Sequence, residues 1–320
     1  MPAIAHNSTW QPVGDYSYPA GWAAISNAEL RARECCRALE EGSILFFKNV
    51  PYELPQADRD FLISQRQTDS RFHKNISYRP RQDVLRGASA ESAQDRDRLR
   101  RIMRNYSSQV TAFVRALLAP YAAGLALDFA SFRPQEEAGR DLPLHKRNDL
   151  LHVDAFPTRP TRGARILRVF TNVNPRQSRV WVTGESFHRM APKYAEPAGL
   201  KEFAAAAQSP FTRTREKFVR ILAAAGLPLA DRSAYDRFML HFHDWLKENP
   251  EFQHSTSHVR SEFPPGCTWL VFTDGVPHAA LSGRFALEHT YIVPRSALVA
   301  PEVAPISVLE KVCGKKLADS

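Results

Sequence analysis

The sequence predicts an α+β protein with a jelly-roll (double-stranded β-helix) core, decorated by N-terminal helices and by a helical insert. Three observations lead there. A strongly amphipathic run fills 92–118. Short β-type runs separated by turn residues occupy about 129–182 and return over 258–293. Helical patterns between about 190 and 249 split the two β regions. The expected organisation is one domain over 1–320: N-terminal helical and strand support in 1–128, core in 129–187 and 256–295, and insert in 188–255.

Each element follows from local chemistry. Pro12, Gly14, Pro19 and Gly21 mark the first 25 residues as an extended arm. Ser26-x-x-Glu29 has the form of a capping box and opens a helix that stops at Gly42. The run 43–50 reads as a buried strand ended by Pro51, and 57–67 as a helix. In 92–118, Leu99, Ile102, Met103, Tyr106, Val110, Phe113, Val114 and Leu117 recur on one helical face. Arginines fill much of the other face, and Pro120 ends the run. Within the insert, helices are expected over 213–225 and 230–247.

Composition narrows the class. Of 320 residues, 43% are hydrophobic and 24% charged, the balance of a globular chain with a substantial core. The apolar runs at 43–47 and 269–272 are strand-sized, far short of the roughly 20 residues of a membrane span. Met1–Trp10 has no basic stretch followed by an apolar one, so no secretory signal is expected. Cys35, Cys36, Cys267 and Cys313 form no C-x-x-C pair, which points to reduced, cytosolic thiols. The net charge of +9 suits an anionic partner: nucleic acid, a phosphorylated lipid surface or an acidic metabolite.

His152-Val153-Asp154 is the one H-x-D in the chain. On a strand, such a pair would point to one face and reach one ion. A second histidine would complete a two-histidine, one-carboxylate set that leaves positions open on Fe(II). His278, after the Asp274-Gly275 turn signal and before a β run at 285–293, is the best distal candidate. His241, His243 and Asp244 form a competing cluster on a helical run, where a solvated or substrate-facing role is the alternative. His254 and His258 are lesser candidates, and His289 reads as a hydrogen-bonded core histidine. A 2-oxoglutarate cosubstrate would need an arginine for its distal carboxylate. Arg168, sharing a strand face with Ile166 and Phe170, is costly there unless paired, and so is the leading anchor. Arg179 and Trp181 share the next strand's face, and Arg133 precedes the metal motif at a strand-like position. Ten residues after His278, where many such enzymes carry a basic anchor, stands Leu287-Glu288-His289, and Arg284 comes too early.

The stretch His152-Val-Asp-Ala-Phe-Pro-Thr-Arg-Pro-Thr-Arg-Gly163 resembles the Kdo hydroxylases, as do Arg165-Ile-Leu-Arg-Val-Phe-Thr-Asn-Val-Asn-Pro175, Arg179-Val-Trp181 and Val276-Pro-His-Ala-Ala-Leu-Ser-Gly-Arg-Phe285. These are bacterial Fe(II)/2-oxoglutarate/O2 enzymes acting on 3-deoxy-D-manno-oct-2-ulosonic acid (Kdo) in lipopolysaccharide. The resemblance implies iron ligation by His152, Asp154 and His278, and 2-oxoglutarate contacts by Arg133, Arg168, Arg179 and Trp181. It also implies hydroxylation at the 3-carbon of Kdo with release of succinate and CO2, and no separate acid or base. The expected partner is Kdo-lipid A, met by a cytoplasmic protein at the inner face of the inner membrane. No nucleic-acid partner is expected, since the chain has no aromatic-basic stripe. His145-Lys146-Arg147, Arg159 and Arg162 flank the motif and are candidates for binding the lipid's anions. The alternatives are an oxygenase on nucleic acid or protein, and a non-catalytic jelly-roll protein that binds anionic sugars.

Overall fold

The computed structural model describes residues 10–14, 16–18, 20–22, 27–67, 75–89, 92–208, 231–255 and 257–318. The strands are β1 (Trp10–Pro12), β2 (Ile44–Phe47), β3 (Arg66–Gln67), β4 (Ile76–Arg79), β5 (Val84–Arg86), β6 (Ala88–Ser89), β7 (Ala126–Arg133), β8 (Arg165–Asn172), β9 (Arg179–Thr183), β10 (Val259–Phe263), β11 (Thr268–Phe272), β12 (His278–Ser282) and β13 (Ala286–Val293). The helices are α1 (Ala28–Glu40), α2 (Gln56–Ser64), α3 (Ala93–Leu117), α4 (Phe187–Tyr194), α5 (Leu200–Gln208), α6 (Ala234–Glu248), α7 (Pro250–Gln253) and α8 (Pro305–Cys313).

A large sheet runs β1-β2-β11-β8-β13-β7-β4-β5, antiparallel except for the β1–β2 pair. A small antiparallel sheet, β10-β9-β12, lies against it. Strands β8 and β11 sit mid-sheet and are covered on both faces, which explains the unbroken apolar run 269–272. Side chains alternate between two cores. Leu167, Val169, Leu270 and Phe272 join the apolar face of α3, while Phe170, Trp269 and Val271 meet Trp181, Phe263 and Ala280 of the small sheet. Trp181 lies edge-on to Phe170 and Trp269 at centroid distances of 4.9 and 5.5 Å. Burying each such ring contributes roughly 1.5–3 kcal/mol. A third core joins α4, α5, α6 and α8 to Leu151 and Val153, and so holds the segment that carries the H-x-D.

Several sequence expectations shift. The first helix begins at Ala28 with left-handed Asn27 at its N-cap and no side-chain cap; Ser26 lies outside the described residues. The strand expected over 43–50 is the shorter Ile44–Phe47, since the chain bends at Lys48. The helix expected over 57–67 ends at Ser64, because Arg66 and Gln67 pair with β6. The helix at 92–118 appears as α3, with Ser92 accepting from the Asp95 amide at its N-cap. In the insert, the helix expected over 230–247 starts later, as α6 at Ala234, where Ser233 and Asp236 form a capping box, and 213–225 lies outside the described residues.

His289 is the hydrogen-bonded core histidine expected. Its Nε2 lies 2.8 Å from Ser107 Oγ of α3, its Nδ1 donates to the Thr290 carbonyl, and its ring stacks on Tyr291. Burial pushes it down to about 4. An unfolded histidine takes up a proton near pH 6.5, but the folded one does so only near 4. Stability is therefore fully present above pH 6.5 and falls toward pH 4, by about 3 kcal/mol from this group. Denaturant unfolding at pH 7, 5.5 and 4.5 should show a steeper loss for the natural protein than for His289→Gln, and equal slopes would refute it.

Candidate metal centre and its arginine surround

His152 does not lie on a strand, as the alternation suggested. It sits in an extended segment before β8, held by an isolated antiparallel bridge to His278 at the start of β12. The bridge has two backbone bonds, His278 N–H to His152 O at 2.9 Å and the reverse at 3.2 Å. The Asp154 amide donates to the Thr273 carbonyl at 2.9 Å, fixing the carboxylate beside the turn that leads to His278. Ligand atoms of His152, Asp154 and His278 thus all lie within 4.8 Å of one another, and among the described residues no other group of three His, Cys, Asp or Glu is so placed.

The imidazoles are prepared as lone-pair donors. Nδ1 of His152 bonds the Leu150 carbonyl at 2.7 Å, and Nδ1 of His278 bonds the Val276 carbonyl at 2.9 Å. A carbonyl only accepts, so both Nδ1 atoms carry the hydrogen and both Nε2 atoms are left with a lone pair. Burial pushes both histidines below their ordinary range, reinforced at His152 by neighbouring His278 and His243, so both rings are neutral. Burial also raises the Asp154 carboxyl, but Arg168 outweighs it and holds the group well below the carboxylate range. Two neutral imidazoles and one buried carboxylate, whose Oδ2 meets the Arg168 guanidinium, fit a divalent ion of borderline hardness.

The four residues expected to bind 2-oxoglutarate surround this cluster. The Arg168 face points toward the small sheet, as its neighbours Ile166 and Phe170 suggested. Its guanidinium lies 3.0 Å from Asp154 Oδ2 and 2.8 Å from Glu288 Oε1. Arg133 donates from Nε to Glu288 at 2.6 Å and reaches Glu137 at 3.4 Å. Arg179, fully buried, donates to Glu137 at 2.8 Å and to the Gly283 carbonyl at 2.9 Å. Gly283 has φ +113°, and a Cβ there would meet the Arg179 backbone at 2.9 Å, so only glycine allows this approach. Trp181 stacks on the His278 ring at 5.2 Å and 24°. Arg284 stands apart, exposed and stacked on Phe285.

Sequence reasoning missed Glu137, Glu288 and the role of His243. Three guanidiniums, Arg133, Arg168 and Arg179, face Glu137, Glu288 and Asp154, so their charges balance, and Arg140, 3.6 Å from Glu137, tips the network positive. These arginines hold Glu137 down to about 2 and depress Glu288, despite the burial that raises both. Nε of Arg168, Nε of Arg179 and Nε1 of Trp181 are buried without a hydrogen-bond partner among the described residues. Buried donors without partners cost roughly 1–3 kcal/mol each, which a bound carboxylate or keto oxygen would relieve. His243, from α6, bonds the Val153 carbonyl through Nδ1 at 2.8 Å, and its ring packs 4.7 Å from that of His152. Among the described residues His241, His243 and Asp244 do not converge as a group of ligands, and His243 packs against the candidate ligand His152 instead. Of the flanking basic residues, Arg147 pairs with Asp149 at 2.6 Å and Arg162 with Asp231, while Arg159 reaches Asp128.

A family model described as 3-deoxy-D-manno-oct-2-ulosonic acid (Kdo) hydroxylase matches residues 22–316. Among solved structures, the Kdo hydroxylase KdoO, a non-heme Fe(II) α-ketoglutarate-dependent dioxygenase, is similar throughout. Its cobalt(II) complex is 35% identical, covers 98% of each chain and superposes with a TM-score of 0.80. Its complex with α-ketoglutarate and Fe(III) is 34% identical over 97% of this chain and 98% of that one, with a TM-score of 0.79. Its complex with succinate and Fe(III) is 34% identical over 98% of each, with a TM-score of 0.78. The comparison with curated proteins returns no match.

Proposed function

This chain belongs to the Kdo hydroxylase family, and from that premise we infer that it is an Fe(II)- and 2-oxoglutarate-dependent dioxygenase that hydroxylates Kdo. The observation that carries the reading into this molecule is the convergence of His152, Asp154 and His278 beside a buried network of arginines. Nε2 of His152, the Asp154 carboxylate and Nε2 of His278 would hold the iron. When bound, Fe(II) and 2-oxoglutarate supply, with O2, the oxidation that places a hydroxyl on a C–H carbon and leaves succinate and CO2.

The chain's own residues do the rest. The Leu150 and Val276 carbonyls orient the two imidazoles, and His243 and Trp181 pack on their faces. Arg168, Arg133 and Arg179 offer the carboxylate-binding surface, with Glu288 and Glu137 holding each guanidinium in place. Glu288 stands where many related enzymes place a basic anchor, so the basic groups come instead from β7, β8 and β9. The two opposed sheets are read as a double-stranded β-helix. Strands before and after the insert share both sheets, which supports one domain over 1–320.

The acceptor is Kdo on lipid A, hydroxylated at the 3-carbon by a cytoplasmic protein working at the inner face of the inner membrane. The net charge of +9 favours that encounter with an anionic surface. Among the described residues no helix is long and apolar enough to cross a membrane. The test is succinate release with Fe(II), ascorbate, 2-oxoglutarate and O2, with and without Kdo-lipid A, while lipid mass is followed. A one-oxygen gain that needs 2-oxoglutarate supports the reading. Succinate with unchanged lipid would keep the oxygenase chemistry and discard Kdo, and protein that binds no Fe(II) would point to a sugar-binding role.

A further inference from the structure

A cavity of about 280 Å³ opens between the turn after β4, the start of β7 and the loop after the H-x-D. Its walls include Arg79, Arg81, Asp128, Phe129, Phe156 and Arg159. Phe156 also lines the small cleft beside Asp154, so its ring stands between the two spaces. The Arg168 guanidinium lies 5.9 Å from the same ring.

The cavity holds unfinished chemistry. Arg159 is clamped between two aromatic faces, 4.2 Å from Phe129 and 4.4 Å from Phe156, and donates to Asp128 Oδ1. Arg79 lies 4.8 Å over the same Phe129 ring and has no carboxylate partner among the described residues. Asp128 Oδ2 and Arg79 Nε are buried without a hydrogen-bond partner. Burial raises the Asp128 carboxyl in spite of Arg159, and lowers Arg159, so both groups gain from a ligand that solvates them. A partner that satisfies all of this carries an anion for the arginines, a hydroxyl to donate to Asp128 and an apolar face for the rings.

We propose that this cavity is the substrate subsite for an acidic sugar: Arg79 and Arg159 hold its anionic group, and Asp128 accepts from one of its hydroxyls. The proposal rests on the Kdo hydroxylase reading and adds to it the residues that select the substrate. The anion is the sugar carboxylate or a phosphate on the lipid; the chemistry is shared, and the ligands below separate them. Arg162, with its guanidinium on Asp231, takes no part.

Titration calorimetry on the Co(II)- and 2-oxoglutarate-loaded protein tests this, with Kdo-lipid A, free Kdo and lipid A lacking Kdo as ligands. Arg79→Gln should weaken Kdo-lipid A binding at least about tenfold, the loss of one charged hydrogen bond. Arg79→Lys should recover part of it, and Arg162→Gln should leave it unchanged. Affinity for 2-oxoglutarate, measured on the same variants, should not move and reports an intact fold. Weakened free Kdo assigns the anion to the sugar carboxylate. Weakened lipid A with free Kdo unaffected assigns it to phosphate, and either result supports the subsite. Unchanged Kdo-lipid A affinity in both Arg79→Gln and Asp128→Leu, with turnover by the natural protein intact, overturns the subsite and leaves the hydroxylase reading standing. Natural protein that neither binds nor hydroxylates Kdo-lipid A overturns that reading, and the subsite falls with it.

Discussion

Hydroxylation of Kdo-lipid A should fall on the order of a thousandfold or more in His152→Ala, with the protein still folded. Removing a residue that merely orients a metal ligand typically costs 10–100-fold in affinity or activity, and loss of the ligand itself costs more. The substitution deletes the Nε2 lone pair but leaves the backbone bridge to His278, since both of its bonds run between main-chain atoms. The neighbouring third core, with Leu151 and Val153, is also untouched. Two readouts separate chemistry from collapse. Co(II) absorption should show lost metal binding, while the thermal midpoint should move by only a few degrees. Full metal content with full turnover in His152→Ala would remove this residue from the centre.

The second large effect is expected at Arg168. Arg168→Ala should raise the KM for 2-oxoglutarate about 10–100-fold, the range of one to two charge-assisted hydrogen bonds. Arg168→Lys should recover only part of this, because an ammonium cannot present two parallel donors to a carboxylate. Arg168 also separates Asp154 from Glu288, so its loss leaves two buried carboxylates facing each other. That structural cost would lower stability in both variants, but it would not produce a selective rise in KM with saturable turnover retained. Unchanged KM in a folded Arg168→Ala would shift the anchor to Arg133 or Arg179.

The parts legible in sequence were those set by local pattern. The apolar stripe of α3 and the alternation of β8 follow from side-chain periodicity, and the H-x-D stood out as a motif. Arg168 was legible because an arginine on an apolar strand face must have a partner. What that partner is in the folded chain was not legible. Glu288 lies 120 positions from Arg168, and strand register brings them together. Glu137 sits in an irregular loop with no period to read, yet it binds two strand arginines. In the sequence Glu288 stands out only as the wrong charge for an anchor. Three nearby arginines need such counter-charges to stay buried, and that arithmetic was available without coordinates. The H-x-D reads as a strand in sequence because an extended loop and a strand share backbone dihedrals; one bridge and neighbouring helices hold it instead.

The insert leaves from β9 and returns into β10, and these two strands are direct neighbours, with Thr183 opposite Val259. Its exit and entry therefore occupy a single rung of the small sheet. Lengthening such an excursion costs only about 0.6 kcal/mol per doubling of its length. This stretch can thus change in length and outer surface at little thermodynamic cost, provided its helices keep their packing on Leu151 and Val153 and His243 keeps its bond to the Val153 carbonyl. The chain thus keeps its chemical cradle apart from an excursion whose outer surface can vary, and new acceptor preferences can arise there without rebuilding the centre.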